Sequence, residues 1–202
     1  YNCIDLVKFK PVESKQLEKV LDKKLPKFNF ITVGTLGKGV NKRVDVSIKA
    51  TAILKEKGFD VGLIVCGDGE QKQDLEKLAI DLGIESQVQF LGMRNDIPKI
   101  LPHAFAFVHA APYEPFGIVC IEAMASGLPA IVPNSGGIQK IVSDGVDGYV
   151  YEHLDENHLA IKMETLLLNN SYSIMVECAL EKIKKYDVKL YVEELYKLYH
   201  AK

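Results

Sequence analysis

The chain has almost no excess of charge of either sign: 25 lysines and arginines stand against 27 aspartates and glutamates in 202 residues, a formal net charge of −2. No basic stripe is concentrated anywhere, so neither nucleic acid nor an anionic membrane surface has much electrostatic hold on it. No apolar run approaches the roughly 20 residues that span a bilayer, and the N-terminus lacks the pattern of a signal peptide. Internal repeats and low-complexity stretches are missing too. Cysteine is sparse: Cys3, Cys66, Cys120 and Cys178 lack the paired spacing of a zinc site, and Cys66 and Cys120 lie inside apolar runs. Buried free thiols are therefore expected rather than metal or redox chemistry. The expected compartment is the cytoplasm, and a chain opening at Tyr1 is expected to be a piece of something longer.

What is present is enough apolar residue, 48% of the chain, to bury one sizeable core. From about Phe28 to Leu168, apolar runs of strand length alternate with helical periodicity, the pattern of βαβ units around a parallel sheet. Strands are expected at Phe28 to Gly34, Val61 to Cys66, Val88 to Leu91, Ala104 to Ala110 and Ala130 to Pro133, with a further apolar segment at Tyr149-Val150-Tyr151. Val44, Ile48, Thr51 and Ala52 share one helical face; Leu75, Leu78, Ala79 and Leu82 share another, which Gly83 ends. The fold class is α/β, a Rossmann-like parallel sheet with helices on both faces. Residues 1–27 lead in, residues 28–168 form the Rossmann-like body, and residues 169–202 form C-terminal helices. Asp155 is the expected N-cap of the first helix after the sheet, a second helix runs near Ser171 to Lys185, and a last one starts at Val188. In the last, Val188, Tyr191, Val192, Leu195, Leu198 and Tyr199 form one apolar stripe. Packing on the domain's own core is its ordinary reading; covering a partner domain is the other.

One segment carries chemistry. Glu114-Pro115-Phe116-Gly117-Ile118-Val119-Cys120-Ile121-Glu122 holds two carboxylates with seven residues between them, and the apolar helix Ala123-Met124-Ala125-Ser126-Gly127 behind them. One acid falls in the loop before a helix start and the other about two turns in. A helix start gathers unpaired N–H groups and partial positive charge, a seat for phosphate. Acids on either side can grip hydroxyl groups. Sugar, phosphate and sugar in a row fit that spacing, as in a nucleotide-sugar. The loops that would line such a site follow strands, the edge at which open α/β sheets bind ligands.

The wider series sharpens this. Asn2-Cys3-Ile4-Asp5 with Phe9-Lys10-Pro11, then Gly67-Asp68-Gly69, Leu82-Gly83, Val88-Gln89-Phe90-Leu91-Gly92, Glu114 to Glu122, Ala123 to Pro129, Gly136-Gly137 and Asp144-Gly145-Val146-Asp147-Gly148 occur in the order found in one family. Over nearly its whole length the chain resembles the C-terminal, donor-binding half of a GT-B-fold retaining glycosyltransferase of the group-1, family-4 type. Residues 1–27 then resemble the interdomain linker, with Cys3 where glycine is usual.

The resemblance implies a nucleotide-diphosphate sugar as substrate, no cofactor and no metal. It also implies an acceptor glycan or lipid-linked glycan held by an N-terminal domain, and it leaves room for peripheral association of the full-length enzyme with a membrane. Glu122 would accept hydrogen bonds from the ribose hydroxyls and Glu114 from hydroxyls of the transferred sugar, as charge-assisted acceptors. The backbone of Phe116, Gly117 and Ile118 would face the sugar and diphosphate. Asn134, Gly136 and Gly137 are further candidates for sugar or phosphate contact, although a plain turn explains them equally. The main chain near Met93 and Arg94 would meet the base, leaving UDP, GDP and ADP all open.

Leaving-group charge needs a partner, and no Asp-x-Asp metal motif occurs. The family uses an arginine after the first strand and a lysine beyond it. Lys42 fits the lysine, while Thr35, after Gly34, stands where the arginine is usual. The loop from Leu36 to Asn41 is about two residues longer than the family's, so Lys38 or Arg43 is left to supply the charge. His103 and His109 lie nearest the site; a lone histidine is ordinarily structural. Two rivals remain. A binding module with the same fold but no phosphate chemistry is favoured by Thr35. A dinucleotide-dependent oxidoreductase is disfavoured because Gly34-Thr35-Leu36-Gly37 lacks Gly-x-Gly-x-x-Gly and no acid clearly ends the second strand.

Overall fold

Strands β1 (Phe28–Val33), β2 (Val61–Cys66), β3 (Val88–Gly92), β4 (Ala106–Val108), β5 (Ala130–Pro133) and β6 (Gly148–Tyr151) pair in parallel in the order β3-β2-β1-β4-β5-β6. This computed structural model describes residues 3–38 and 42–200. Each strand is short and apolar on both sides because helices cover both faces; β2 is buried at all of its residues. Successive side chains alternate between faces. Phe30, Leu63, Val65, Val108 and Ile131 enter one core with helices α2 (Val44–Glu56), α3 (Lys72–Asp81) and α6 (Glu156–Leu167). Ile31, Ile64, Phe107 and Val132 enter the other with α5 (Ile118–Ala125) and α7 (Tyr172–Ile183). The short helices α1 (Leu17–Leu21) and α4 (Ile97–Ile100) add Leu17 and Ile100 to that second core, and α8 (Val188–His200) closes the chain.

Sequence and structure agree over most of these elements and differ at informative places. α2 buries more than the expected stripe, Val46, Ala50 and Leu54 included, because α3 and α6 flank it on two sides. Leu82 lies past the end of α3 and is 41% exposed, so Leu75 and Ala79 bury that helix without it. β4 spans Ala106–Val108 rather than Ala104 to Ala110: Ala104 still closes a 3-10 turn at Leu101–His103, and the chain leaves the sheet after His109, whose N–H makes the last bond to β5 at Ile131 O, 3.0 Å. Asp155 does cap α6, its Oδ1 accepting the N–H groups of Asn157 and His158, both at 2.9 Å, an arrangement that contributes about 1 kcal/mol. The helix expected near Ser171 to Lys185 is α7 followed by a 3-10 turn at Lys184–Tyr186.

The flanking segments pack on the body. Ile4 N–H donates to Tyr186 O and Val188 N–H donates to Ile4 O, both at 2.9 Å, while Phe9 and Leu17 are buried in the second core. From the C-terminal residues, Met175, Ala179 and Ile183 of α7 are buried, and the Tyr172 ring stacks on Phe105 at 4.9 Å. The stripe on α8 behaves otherwise. Val188, Tyr191 and Leu195 are half-buried, but Val192, Leu198 and Tyr199 are 56%, 72% and 78% exposed, so the stripe packs on the domain's own core only in part. Cys66 and Cys120 are buried free thiols, as expected; burial pushes the Cys66 thiol up to about 12 and the Cys120 thiol further still.

Candidate functional site

The strand order places β1 beside β4, with the chain running to β2 and β3 on one side and to β5 and β6 on the other. Loops leaving β1 and β4 at their carboxyl ends therefore diverge and leave a crevice, the position at which doubly wound sheets take ligands. Here that crevice is a cavity of about 380 Å³ lined by Gly34 and Thr35 after β1, Lys42 before α2, His109 after β4, and Glu114 to Cys120 at the start of α5. Gly34 is close to the aliphatic stem of Lys42: a Cβ on Gly34 would lie 3.3 Å from Cε and Cγ. The small residue lets the lysine lie across the strand end and carry its ammonium into the crevice.

Glu114 sits at the centre. Its Oε2 accepts from Lys42 Nζ at 2.7 Å, and its Oε1 accepts from Gly117 N–H at 3.2 Å. Burial alone would raise its carboxyl, but the hydrogen bond and charge of Lys42, with smaller help from His109 and the Gly117 N–H, hold it below the ordinary carboxylate range. Gly117 takes φ +86° and lies against Ile138, whose Cγ1 would be 2.7 Å from an added Cβ; a glycine meets both demands at this turn. α5 starts immediately after it, so the N–H groups of Ile118 and Val119 have no intrahelical acceptor and face the crevice end of the helix dipole. Phe116 lines the same cavity and packs edge-on against Tyr186 at 6.0 Å.

His109 is 4% exposed, and its Nε2 is buried without a hydrogen-bond partner. Glu114 Oε2 lies 3.8 Å from it, beyond hydrogen-bonding distance. Burial first and the Lys42 charge second push the imidazole down to about 4, with Glu114 opposing. It is therefore neutral at physiological pH.

A second, smaller cavity of about 180 Å³ adjoins the first through Val33, Gly34 and Thr35, and is lined by Cys66, Gly67, Asp68, Met93, Arg94 and Ile97. Met93 is 80% exposed. Arg94 forms a two-point pair with Asp96, at 2.8 and 2.7 Å. The two spaces together form a bent trough across the sheet edge, with α5 at one end and the β3 loop at the other.

Not every expected residue enters this trough. Arg43 turns aside, its guanidinium held by Asp45 at 2.8 and 2.9 Å. Lys38 is exposed in the β1–α2 loop and lines neither cavity; Gly39, Val40 and Asn41, the rest of the lengthened loop, lie outside the described residues, as do Tyr1 and Asn2. Asn134 is tied to the end of β6, donating to Glu152 at 2.8 Å and accepting from His153 N–H at 3.0 Å. Gly136 and Gly137 buttress the Glu114 loop from behind. Gly137 N–H donates to Glu114 O at 2.8 Å, and a Cβ there would fall 1.8 Å from Pro115 O. Glu122 stands just over one turn into α5, not two, because the helix starts at Ile118. It lines neither cavity. Half-buried, with no hydrogen-bond partner among the described residues, its carboxyl is raised by burial, with Lys8 pulling the other way.

The sequence reading passed over Asp68 and Ile138 as lining residues, and set His109 aside as structural. Asp68 had a visible signal, the Gly67-Asp68-Gly69 turn at a strand end. Ile138 had none, since its place depends on how the Gly136-Gly137 turn folds back on Glu114.

A family model described as glycosyl transferases group 1 matches residues 13–186. Over 154 residues the chain is 33% identical to the UDP-Gal:alpha-D-GlcNAc-diphosphoundecaprenol alpha-1,3-galactosyltransferase of Escherichia coli, covering 75% of this chain and 40% of that one. Over 111 residues it is 35% identical to the lipopolysaccharide core biosynthesis glycosyltransferase LpsE of Rhizobium meliloti, covering 55% and 33%. Among solved structures, Anabaena Alr3699/HepE in complex with UDP-glucose superposes with a TM-score of 0.85 at 25% identity, over 100% of this chain and 57% of that one. The C-terminal domain of the group 1 family protein LpcC from Francisella tularensis shares the fold, with a TM-score of 0.81 at 24% identity over 92% and 99%. The chain spans less than half the length of the curated relatives it matches.

Proposed function

This chain belongs to the group 1 glycosyl transferases, and from that premise we propose that it is the donor-binding half of a GT-B hexosyltransferase, holding a nucleotide-diphosphate sugar in the trough between β1 and β4. The observation that carries the proposal is the convergence of Lys42, Glu114 and the first turn of α5 at the switch point of the sheet. A diphosphate fits there because a lysine ammonium and free helix N–H groups are the two protein features that best hold phosphate oxygens. The sugar then lies against Glu114 and the Phe116-Gly117-Ile118 backbone, and the base lies in the smaller cavity beside Met93 and Arg94. The ribose hydroxyls are assigned to Glu122, which lines neither cavity but is an anion without a protein partner among the described residues, at the helix that closes one end of the trough. Uridine is the base we favour, since the names of the galactosyltransferase relative and of the Anabaena complex both carry UDP.

Transfer breaks the bond between the anomeric carbon and the diphosphate and forms one to an acceptor hydroxyl oxygen, whose proton passes to the departing diphosphate. We assign acceptor binding to an N-terminal part of the full-length enzyme, with the acceptor a glycan or lipid-linked glycan. Charge growing on the leaving diphosphate is met by Lys42 and the α5 dipole rather than by a metal ion, and the anomeric configuration is retained. Preorganised donors of this type contribute about 3–4 kcal/mol each when removed singly.

Isothermal titration of UDP, GDP and ADP into the chain tests the donor site. UDP should bind most tightly, and Glu122→Ala should weaken it by about tenfold, the cost of a charge-assisted hydrogen bond. No binding by any of the three would remove the proposal. Thr35, where the family's usual arginine is absent, favours one other reading, a module that binds without transferring. Slow hydrolysis of a UDP-sugar by the full-length protein would rule that module out.

A further inference from the structure

An unpartnered polar atom in a buried place calls for an explanation, because leaving it unsatisfied is costly. His109 Nε2 is such an atom, and it faces an oxygen it does not reach: Glu114 Oε2, 3.8 Å away and already held by Lys42 at 2.7 Å. Three groups thus converge on one carboxylate, of which Gly117 N–H fixes Oε1 while two contend for Oε2. Lys42 is the mobile contender, an ammonium on a four-carbon stem resting on Gly34. His109 is the fixed one, its ring stacked on Phe107 at 6.1 Å and its backbone N–H bonded to Ile131 O at 3.0 Å.

Resting on the donor-site reading above, we propose that donor binding exchanges the partners of Glu114: the diphosphate draws Lys42 away, and His109 Nε2–H closes on the vacated Oε2. His109 is then a positioning residue, which keeps Glu114 oriented towards the sugar hydroxyls once its cation has gone to the phosphate. The charges favour the exchange. A diphosphate offers Lys42 more negative charge than one carboxylate does, and a neutral imidazole replaces the ammonium without adding a second cation. The required movement is small, since about 0.8 Å of closure brings 3.8 Å within hydrogen-bonding range. In the unliganded chain the Lys42 pair keeps Glu114 ready while leaving His109 without a partner.

Long-range proton–nitrogen NMR of the His109 ring, assigned by loss of its signals in His109→Gln, reads the exchange directly. UDP and UDP-glucose should move the Nε2–H signal downfield as the hydrogen bond forms, whereas uridine should leave it in place. Lys42→Ala should show the shifted signal without any ligand. If calorimetry shows UDP binding and the His109 signals stay where they were, the exchange is wrong and the donor site stands. If UDP, GDP and ADP all fail to bind, both fall. A second measurement separates positioning from packing. His109→Phe should lose about tenfold in affinity for UDP-glucose but little for UDP, and His109→Gln, which keeps an N–H donor, should retain both. Equal losses for UDP and UDP-glucose would assign His109 to packing and overturn the inference.

Discussion

At the scale of the residue, the legible chemistry was that of charged groups in a motif. Glu114 and Lys42 were identified from sequence and meet at 2.7 Å. His109 is placed near the site by the sequence but read as structural, because its meaning lies in what it fails to touch, and an absent partner leaves no pattern in a sequence. Gly136 and Gly137, candidates for sugar or phosphate contact that a plain turn explains equally, also brace the Glu114 loop: a Cβ would lie 2.6 Å from Glu114 O at Gly136 and 1.8 Å from Pro115 O at Gly137. The buried imidazole has a consequence for stability. Burial, then Lys42, push His109 down to about 4 in the folded chain, while the unfolded chain titrates near the ordinary value of about 6.5. Between those values the unfolded state binds the extra proton, so stability contributed by excluding it is complete above about pH 6.5 and is lost as pH falls towards 4. Between pH 7.5 and 5 the wild type should lose on the order of 2 kcal/mol more than His109→Phe. Urea denaturation at the two pH values checks this, and parallel losses would show that the imidazole does not titrate as the site implies.

At the scale of the element, strands and helices with strong periodicity were legible, since alternation and the 3.6-residue repeat report burial directly. Boundaries were less so. β4 is three residues long, yet the chain on both sides of it still touches its neighbours in the sheet, Phe105 N–H donating to Asn29 O at 2.7 Å and His109 N–H to Ile131 O at 3.0 Å, so an apolar run does not mark where a strand ends. The last helix shows the opposite failure. Its stripe has the composition of a core face, yet sequence gives no view of what lies opposite, and among the described residues little does. The double variant Val192→Ser with Leu198→Ser should therefore change unfolding free energy by no more than about 1 kcal/mol in total, about 0.5 for each exposed site. Ile183→Ala, at a fully buried position of α7, should cost about 2–5 kcal/mol. Chemical denaturation of the two variants compares them, and a large loss in the α8 variant would mean that this helix is bound to the body in solution.

At the scale of the whole molecule, the parallel sheet followed from the alternation of apolar runs, but the strand order did not. That order decides where the crevice opens, and it brings together residues as distant as Lys42 and Glu114. A ligand in the trough touches β1, β4, the α2 lead-in and α5 at once, so binding should stabilise the chain as a unit rather than one loop of it. At a UDP concentration 100 times its dissociation constant, linkage supplies about 2.7 kcal/mol. For a chain of this size that corresponds to a rise in melting temperature of about 5–10 °C. Lys42→Ala removes the ammonium from the diphosphate but leaves the base pocket intact. A tenfold loss of affinity would leave the ligand at 10 times its dissociation constant and about half the stabilisation. At the same UDP concentration the variant should therefore shift by about half as much as the wild type, and uridine should shift both alike. Thermal unfolding with each ligand measures the four shifts; a Lys42→Ala variant whose UDP shift matches the wild type would place the diphosphate away from Lys42, and with it away from the crevice that the strand order creates.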